Sequence, residues 1–246
     1  MKCYCIMKPT EYGMTLKSDA HNILKALGLV FGDIGTSPIY TLTVVFLFID
    51  PTPQNVIGIL SLVVWSITIL VFIEYIMLAM TLDLHGEGGT LIIKRILDDL
   101  LPAGRRKVFF GILAFAGVSL LIGDGVITPS ITILSAVEGI VLIPGLELTP
   151  QWMLIGAAML IALVLFMVQT FGTDKVAVSF GPVMIIWFGI LAVTGLISVM
   201  HVPSVLAAFN PVNAVSFMTH HGLAGFLILS QIILCATGSE ALYADM

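Results

Sequence analysis

From 176 to 239 the sequence contains no Asp, Glu, Lys or Arg, a run of 64 residues, whereas one helical bilayer crossing needs only about 20 apolar residues. Two crossings fit into that run alone. Hydrophobic residues fill 59% of the 246 positions and charged ones 10%, against about a quarter charged in a soluble domain. With a mean hydropathy of +1.11, this much apolar surface has no way to hide from water. The fold class expected is therefore all-α integral membrane protein, with membrane lipids as its surroundings and no nucleic-acid partner.

Apolar runs matched to bilayer thickness place six spans near 26–49, 56–80, 108–142, 152–168, 176–200 and 222–246. No signal-peptide core precedes the first, so residues 1–21 read as a tail and 22–246 as the transmembrane domain. The ten basic residues fix an orientation. Lys2, Lys8, Lys17 and Lys25 precede span one, Lys94, Arg95, Arg105, Arg106 and Lys107 lie between spans two and three, and Lys175 lies between four and five. The connections at 50–55, 143–151 and 201–221 carry none. The positive-inside rule then makes the N-terminus and the 81–107 loop cytoplasmic, in a multi-pass protein of the cytoplasmic membrane. Cys3 and Cys5 fall in the inner tail and Cys235 in an apolar segment, and all three read as reduced thiols. His201, His220 and His221 fall in an outer connection and read as solvated. The inner loop carries His85-Gly86-Glu87-Gly88-Gly89 ahead of an amphipathic stretch at 91–100. Without a Gly-Lys-Ser/Thr ending, these glycines read as a tight turn and not as a nucleotide cradle.

Intramembrane acids carry the chemistry, since a charge near mid-bilayer costs at least about 2.5–3.5 kcal/mol. Asp33 sits in Phe31-Gly32-Asp33-Ile34-Gly35-Thr36-Ser37-Pro38, where two glycines and a proline predict a broken helix. Backbone carbonyls freed by such a break, beside a carboxylate, are oxygen-rich surroundings suited to a dehydrated cation. Span three repeats the pattern in Gly123-Asp124-Gly125-Val126-Ile127-Thr128-Pro129, and Asp124, Thr128 and Thr132 share one helical face. Each threonine has the competing option of bonding its own backbone one turn earlier. A third interruption, Thr237-Gly238-Ser239-Glu240, occurs in span six, antiparallel to span one after five crossings. Paired broken helices in inverted orientation point to a transporter's central site. Glu74 and Glu138 lie towards the ends of their spans, where an acid is less informative.

These segments carry a resemblance. The blocks ALGLVFGDIGTSPIYTL at 26–42, HGEGGT at 85–90, GDGVITPSITILSAVEG at 123–139, FGTDKVAVSFGPVMIIWF at 171–188 and TGSEALYADM at 237–246 are similar to the N-terminal part of the KUP/HAK/KT potassium uptake family. The resemblance implies a LeuT-like fold of two inverted five-helix repeats, here the first repeat plus part of helix six. It implies potassium uptake by proton symport, with potassium ion and proton as transported species, no cofactor, no metal beyond potassium and no enzyme reaction. Carried over residue by residue, it makes Asp33, Tyr40, Asp124, Thr128, Thr132 and Thr237 potassium ligands and Glu240 the proton-coupling acid. A homodimer is left open. Members of the family carry a Lys before the Tyr of span two, where this sequence has Glu74.

The same resemblance implies at least four further helices and a cytoplasmic domain beyond Met246, so the sequence is expected to be a truncated form of a longer transporter. The competing readings are a nonfunctional fragment or interaction module, an ion channel, and an amino-acid permease of the same fold. A channel filter such as TVGYG is missing from the sequence. A permease would keep acids away from the breaks that receive a substrate carboxylate, whereas Asp33 and Glu240 stand at both.

Overall fold

A computed structural model describes residues 23–24, 27–28, 30–84, 87–169 and 173–244, and among them the chain is helical apart from one isolated backbone bridge. Span one consists of α1 (Phe31–Ile34) and α2 (Ser37–Phe48). Span two is α3 (Pro53–Ile67), which continues as a π-helix over Thr68–Leu78 and ends in a 3-10 turn, Ala79–Thr81. The inner loop contains α4 (Thr90–Leu100). Spans three to five are α5 (Arg105–Glu138), α6 (Gln151–Gln169) and α7 (Thr173–His201). A 3-10 segment, Pro203–Phe209, leads into α8 (Pro211–Ile232), followed by a 3-10 turn, Ile233–Ala236, and α9 (Ser239–Ala244). Six of these helical stretches are long and apolar enough to cross a membrane. Lys2, Lys8, Lys17, Lys25, Cys3, Cys5, His85, Gly86, Asp245 and Met246 lie outside the described residues.

Turn chemistry marks the helix starts. Asn55 donates its backbone N–H to Thr52 Oγ1 at 3.3 Å to cap α3, and Val212 donates to Asn210 Oδ1 at 3.0 Å to cap α8. In each, a proline occupies the first turn, where its missing N–H is not needed.

The core joins spans one, two and six. Val45 of α2 packs with Ile59, Leu62 and Val63 of α3 and with Ala214, Phe217, Ile228 and Ile232 of α8. Gly58 allows the close approach, since a Cβ there would lie 2.8 Å from Phe217 Cβ. Ser61 Oγ donates to Asn210 O at 2.9 Å and Trp65 Nε1 to Phe209 O at 3.1 Å. Those bonds tie span two to the start of span six with polar groups that find no water in lipid. By contrast α5, α6 and α7 expose large apolar side chains such as Phe115, Leu163 and Ile186, as lipid-facing helices do.

The structure corrects the reading of 201–221 as a solvated outer connection. Residues 211–221 are helical, and the helical run α8 breaks at Gly222 (φ +51, ψ −120), where span six was expected to begin. His220 and His221 therefore sit on a helix, and the half-buried His221 ring stacks on Phe217 with centroids 4.3 Å apart. Span three is continuous: α5 runs unbroken through Pro129, as the shared helical face of Asp124, Thr128 and Thr132 requires.

Candidate ion-binding cavity

Two interruptions of different depth bring the site together. In span one, Gly35 (φ −78, ψ −15) and Thr36 (φ −107, ψ −31) stay in the right-handed helical region. Thr36 N–H bonds back three residues to Asp33 O at 3.0 Å, as does Ile39 N–H to Thr36 O at 3.1 Å. The expected unwound stretch is thus a tightened turn, and most of its carbonyls have donors. Thr36 Oγ1 donates to Gly32 O and Asp33 O, both at 3.1 Å, Ser37 Oγ to Asp33 O at 2.9 Å, and Trp187 Nε1 to Gly35 O at 3.1 Å. Span six breaks more fully, with Thr237 extended (φ −59, ψ 141) and Gly238 left-handed at φ +92 before α9 restarts the helix.

The breaks touch. A Cβ on Gly238 would lie 2.8 Å from Asp33 Oδ2, so glycine serves there both for its positive φ and for the contact. Between them and α5 lies a cavity of about 440 Å³ whose lining includes Asp33, Thr36, Asp124, Thr128, Thr132 and Glu240. Among the described residues, no Lys, Arg or His lines it. Asp33, Asp124 and Glu240 line one space, in which three ionised carboxylates would repel one another. Such a site calls for protons or a cation.

Local hydrogen bonds assign the oxygens. Thr128, buried in α5, donates Oγ1 to Asp124 Oδ1 at 2.8 Å, while Thr132 Oγ1 turns back to Thr128 O at 2.9 Å. Both hydroxyls keep lone pairs for a ligand. Pro129 gives no N–H to the carbonyl of Gly125, and both residues line the cavity. Glu240 Oε2 accepts Gly238 N–H at 3.1 Å. Tyr40, buried and outside the lining, donates to Ser37 Oγ at 3.1 Å, and Ser37 in turn reaches Asp33 Oδ1 at 3.4 Å. Thr237 stands beside Gly238 and is also outside the lining. Glu74, in the π-helix, and Glu138, at the end of α5, are exposed and away from the cavity.

Residues 20–246 match the K+ potassium transporter integral membrane domain. The chain belongs to that family. Among its relatives in the potassium transporter family are the probable potassium transport system protein Kup 2 of Geobacter metallireducens, 60% identical over 224 residues, and the Kup 2 protein of Geobacter sulfurreducens, also 60% identical over 224 residues. Each alignment covers 91% of this chain and 37% of the relative. A Kup protein of Methanosarcina acetivorans is 53% identical over 233 residues, covering 95% of this chain and 39% of its own length. The chain thus spans a little over a third of the length of these potassium transporter relatives. No solved structure matches it.

Sequence reasoning missed two participants. Trp187 holds the carbonyl of Gly35, and its neighbour Phe188 fills the space a Cβ on Gly35 would need, 2.6 Å from Cζ. Both lie in the block at 171–188, whose pattern gave no hint that span five braces the break in span one. Gly238 was visible only as a helix breaker; its contact with Asp33 is tertiary.

Proposed function

We propose that this chain forms part of the ion path of a potassium uptake system in the cytoplasmic membrane, with a partly dehydrated potassium ion held in the cavity among Asp33, Asp124 and Glu240. The observation that carries this reading is the convergence of three acids from spans one, three and six on one cavity, with no basic residue among its described lining. A second cavity of about 440 Å³, lined by Pro53, Asn55, Asn213, Ser216, His220 and other residues, has no acid and offers no comparable cation site. The names of the relatives, potassium transport proteins, support the choice of ion.

In this reading Asp33 and Asp124 supply charge, and Thr128 and Thr132 supply hydroxyl oxygens. The Gly125 carbonyl is a further uncharged oxygen. Tyr40 acts through Ser37 on Asp33, and Thr237 offers its oxygen from the span-six break. Glu240 carries the proton and is protonated while Asp33 and Asp124 hold the cation, so that ion and proton occupy the cavity together and cross in the same direction. That joint occupancy couples the two gradients in a symport. Broken spans one and six in inverted orientation support a LeuT-like arrangement, first repeat plus part of helix six. The N-terminus and the 81–107 loop then face the cytoplasm.

Rubidium influx in cells lacking their own potassium uptake tests the reading, using a complete transporter that contains this segment. Asp33→Asn and Asp124→Asn should each abolish concentrative influx at near-normal abundance. Wild-type influx in both variants would remove the cavity from the ion path.

A further inference from the structure

The glycine turn of the inner loop has no part in the cavity, yet it grips the helix that carries Glu240. Leu84 and Glu87 exchange backbone hydrogen bonds, Leu84 N to Glu87 O at 3.0 Å and Glu87 N to Leu84 O at 3.2 Å. That pairing brings Gly88 against α9. A Cβ on Gly88 would run into the backbone carbonyl of Tyr243 and would lie 2.8 Å from the ring carbon Cε2 and 2.9 Å from Cδ2. No backbone angle demands glycine at 88, since its φ is an ordinary one; the requirement is space. On the other side of the turn, the Tyr243 hydroxyl donates to the carbonyl of Leu82. The ring is buried, only 4% exposed. The remaining face of α9 packs on the π-helix of span two.

We propose that Gly88 and Tyr243 form an inner latch, in which the loop's grip on the tyrosine holds α9 against the cavity and so positions Glu240 and Ala241 on its wall. Both are positioning residues that act through Glu240. Release of Tyr243 lets α9 swing away from Asp33 and Asp124 and opens the cavity towards the loop side. The hinge for this movement is Gly238, whose positive φ separates α9 from α8. The name of inner latch rests on the transport-site reading, but the contact and its test do not depend on what the cavity binds.

The test is maleimide labelling of a single cysteine at Ala241, which lines the cavity, in membrane vesicles carrying the chain with Cys3, Cys5 and Cys235 replaced. Tyr243→Phe removes only the hydroxyl, and Gly88→Ala adds the colliding methyl. Each should raise the labelling rate at 241 about two- to tenfold, the range that loss of one hydrogen bond allows. Gly104→Ala, where a Cβ meets nothing within 4 Å, should change nothing. A second reporter cysteine at Ala214, buried in the seam between α3 and α8, separates a latch from general loosening. An unchanged rate at 241 in Tyr243→Phe overturns the proposal, as does an equal rise at 214. If Gly88→Ala fails to accumulate, Tyr243→Phe alone decides. Loss of ion dependence elsewhere in the protein would sink the transport reading and leave this result standing.

Discussion

Gly238 in the span-six break stands against the carboxylate of Asp33 in span one, so closely that a methyl group on its Cα would lie 2.8 Å from Oδ2 and 2.9 Å from Cβ. Two costs fall on any side chain placed there. The left-handed backbone at φ +92 strains a residue with a Cβ by about 1–3 kcal/mol, and the clash pushes Asp33 away from the cavity. Gly238→Ala in a complete transporter should therefore reduce rubidium influx more than it reduces membrane abundance. Influx that falls only in proportion to abundance would make the contact one of packing alone.

The two threonines of α5 should separate. Thr128 donates to the Asp124 carboxylate, whereas Thr132 donates to its own backbone. A hydrogen bond to a charged group contributes about 1.5–3 kcal/mol, against roughly 1 for a neutral one. Thr128→Val should raise the half-saturating rubidium concentration by about tenfold to a hundredfold, and Thr132→Val by much less. Equal effects would mean that the Thr128 bond to Asp124 adds nothing beyond the oxygen each hydroxyl offers the ion.

Glu240→Gln should abolish proton-driven accumulation while some potassium binding or exchange remains, because the amide keeps the shape of the side chain and loses the titratable proton. Influx in vesicles with and without an imposed pH gradient measures this. If the variant still concentrates potassium with the wild-type dependence on the gradient, another acid of the cavity carries the proton.

Orientation is testable at two positions free of structural duties. Gly104 has open space around its Cα and lies in the 81–107 loop, and Leu148, 96% exposed, lies between spans three and four. Single cysteines there should give opposite results with an impermeant reagent added outside, with modification at 148 and protection at 104. The reverse pattern would invert the topology. Gly88 and Asn210 serve less well, since one packs on Tyr243 and the other caps α8.

In the inner loop, Lys94 Nζ donates to Asp98 Oδ2 at 2.5 Å and holds that carboxyl below its ordinary value. A carboxyl depressed on folding favours the folded loop above its unfolded pKa, and the contribution disappears as pH falls through the folded value. The protection factors of α4 amides, exchange rates divided into the chemical rate at each pH, should thus be constant from neutral pH down to about 4 and should fall only below it. An Asp98→Asn variant should lose this pH dependence.

The sequence alone determined that this chain lives in a membrane, how many times its helices can cross it, and which acids lie deep within apolar runs. Those properties depend on composition over some 20 residues and on the cost of a charge in hydrocarbon, both local. Asp33, Asp124 and Glu240 were legible for that reason, as were the glycines and prolines that weaken the helices around them. Whether a proline breaks its helix was not legible: α5 continues through Pro129, while the span-six break rests on Gly238. Neighbouring helices decide such cases, because they either re-pair the freed backbone or leave it open. Tertiary structure likewise decided that His221 stacks on Phe217 inside a helix, that Trp187 braces Gly35, and that Tyr243 lies against Gly88. Each of these contacts joins residues that periodicity cannot relate, since the fit of one side chain against a distant backbone appears only when the helices are packed.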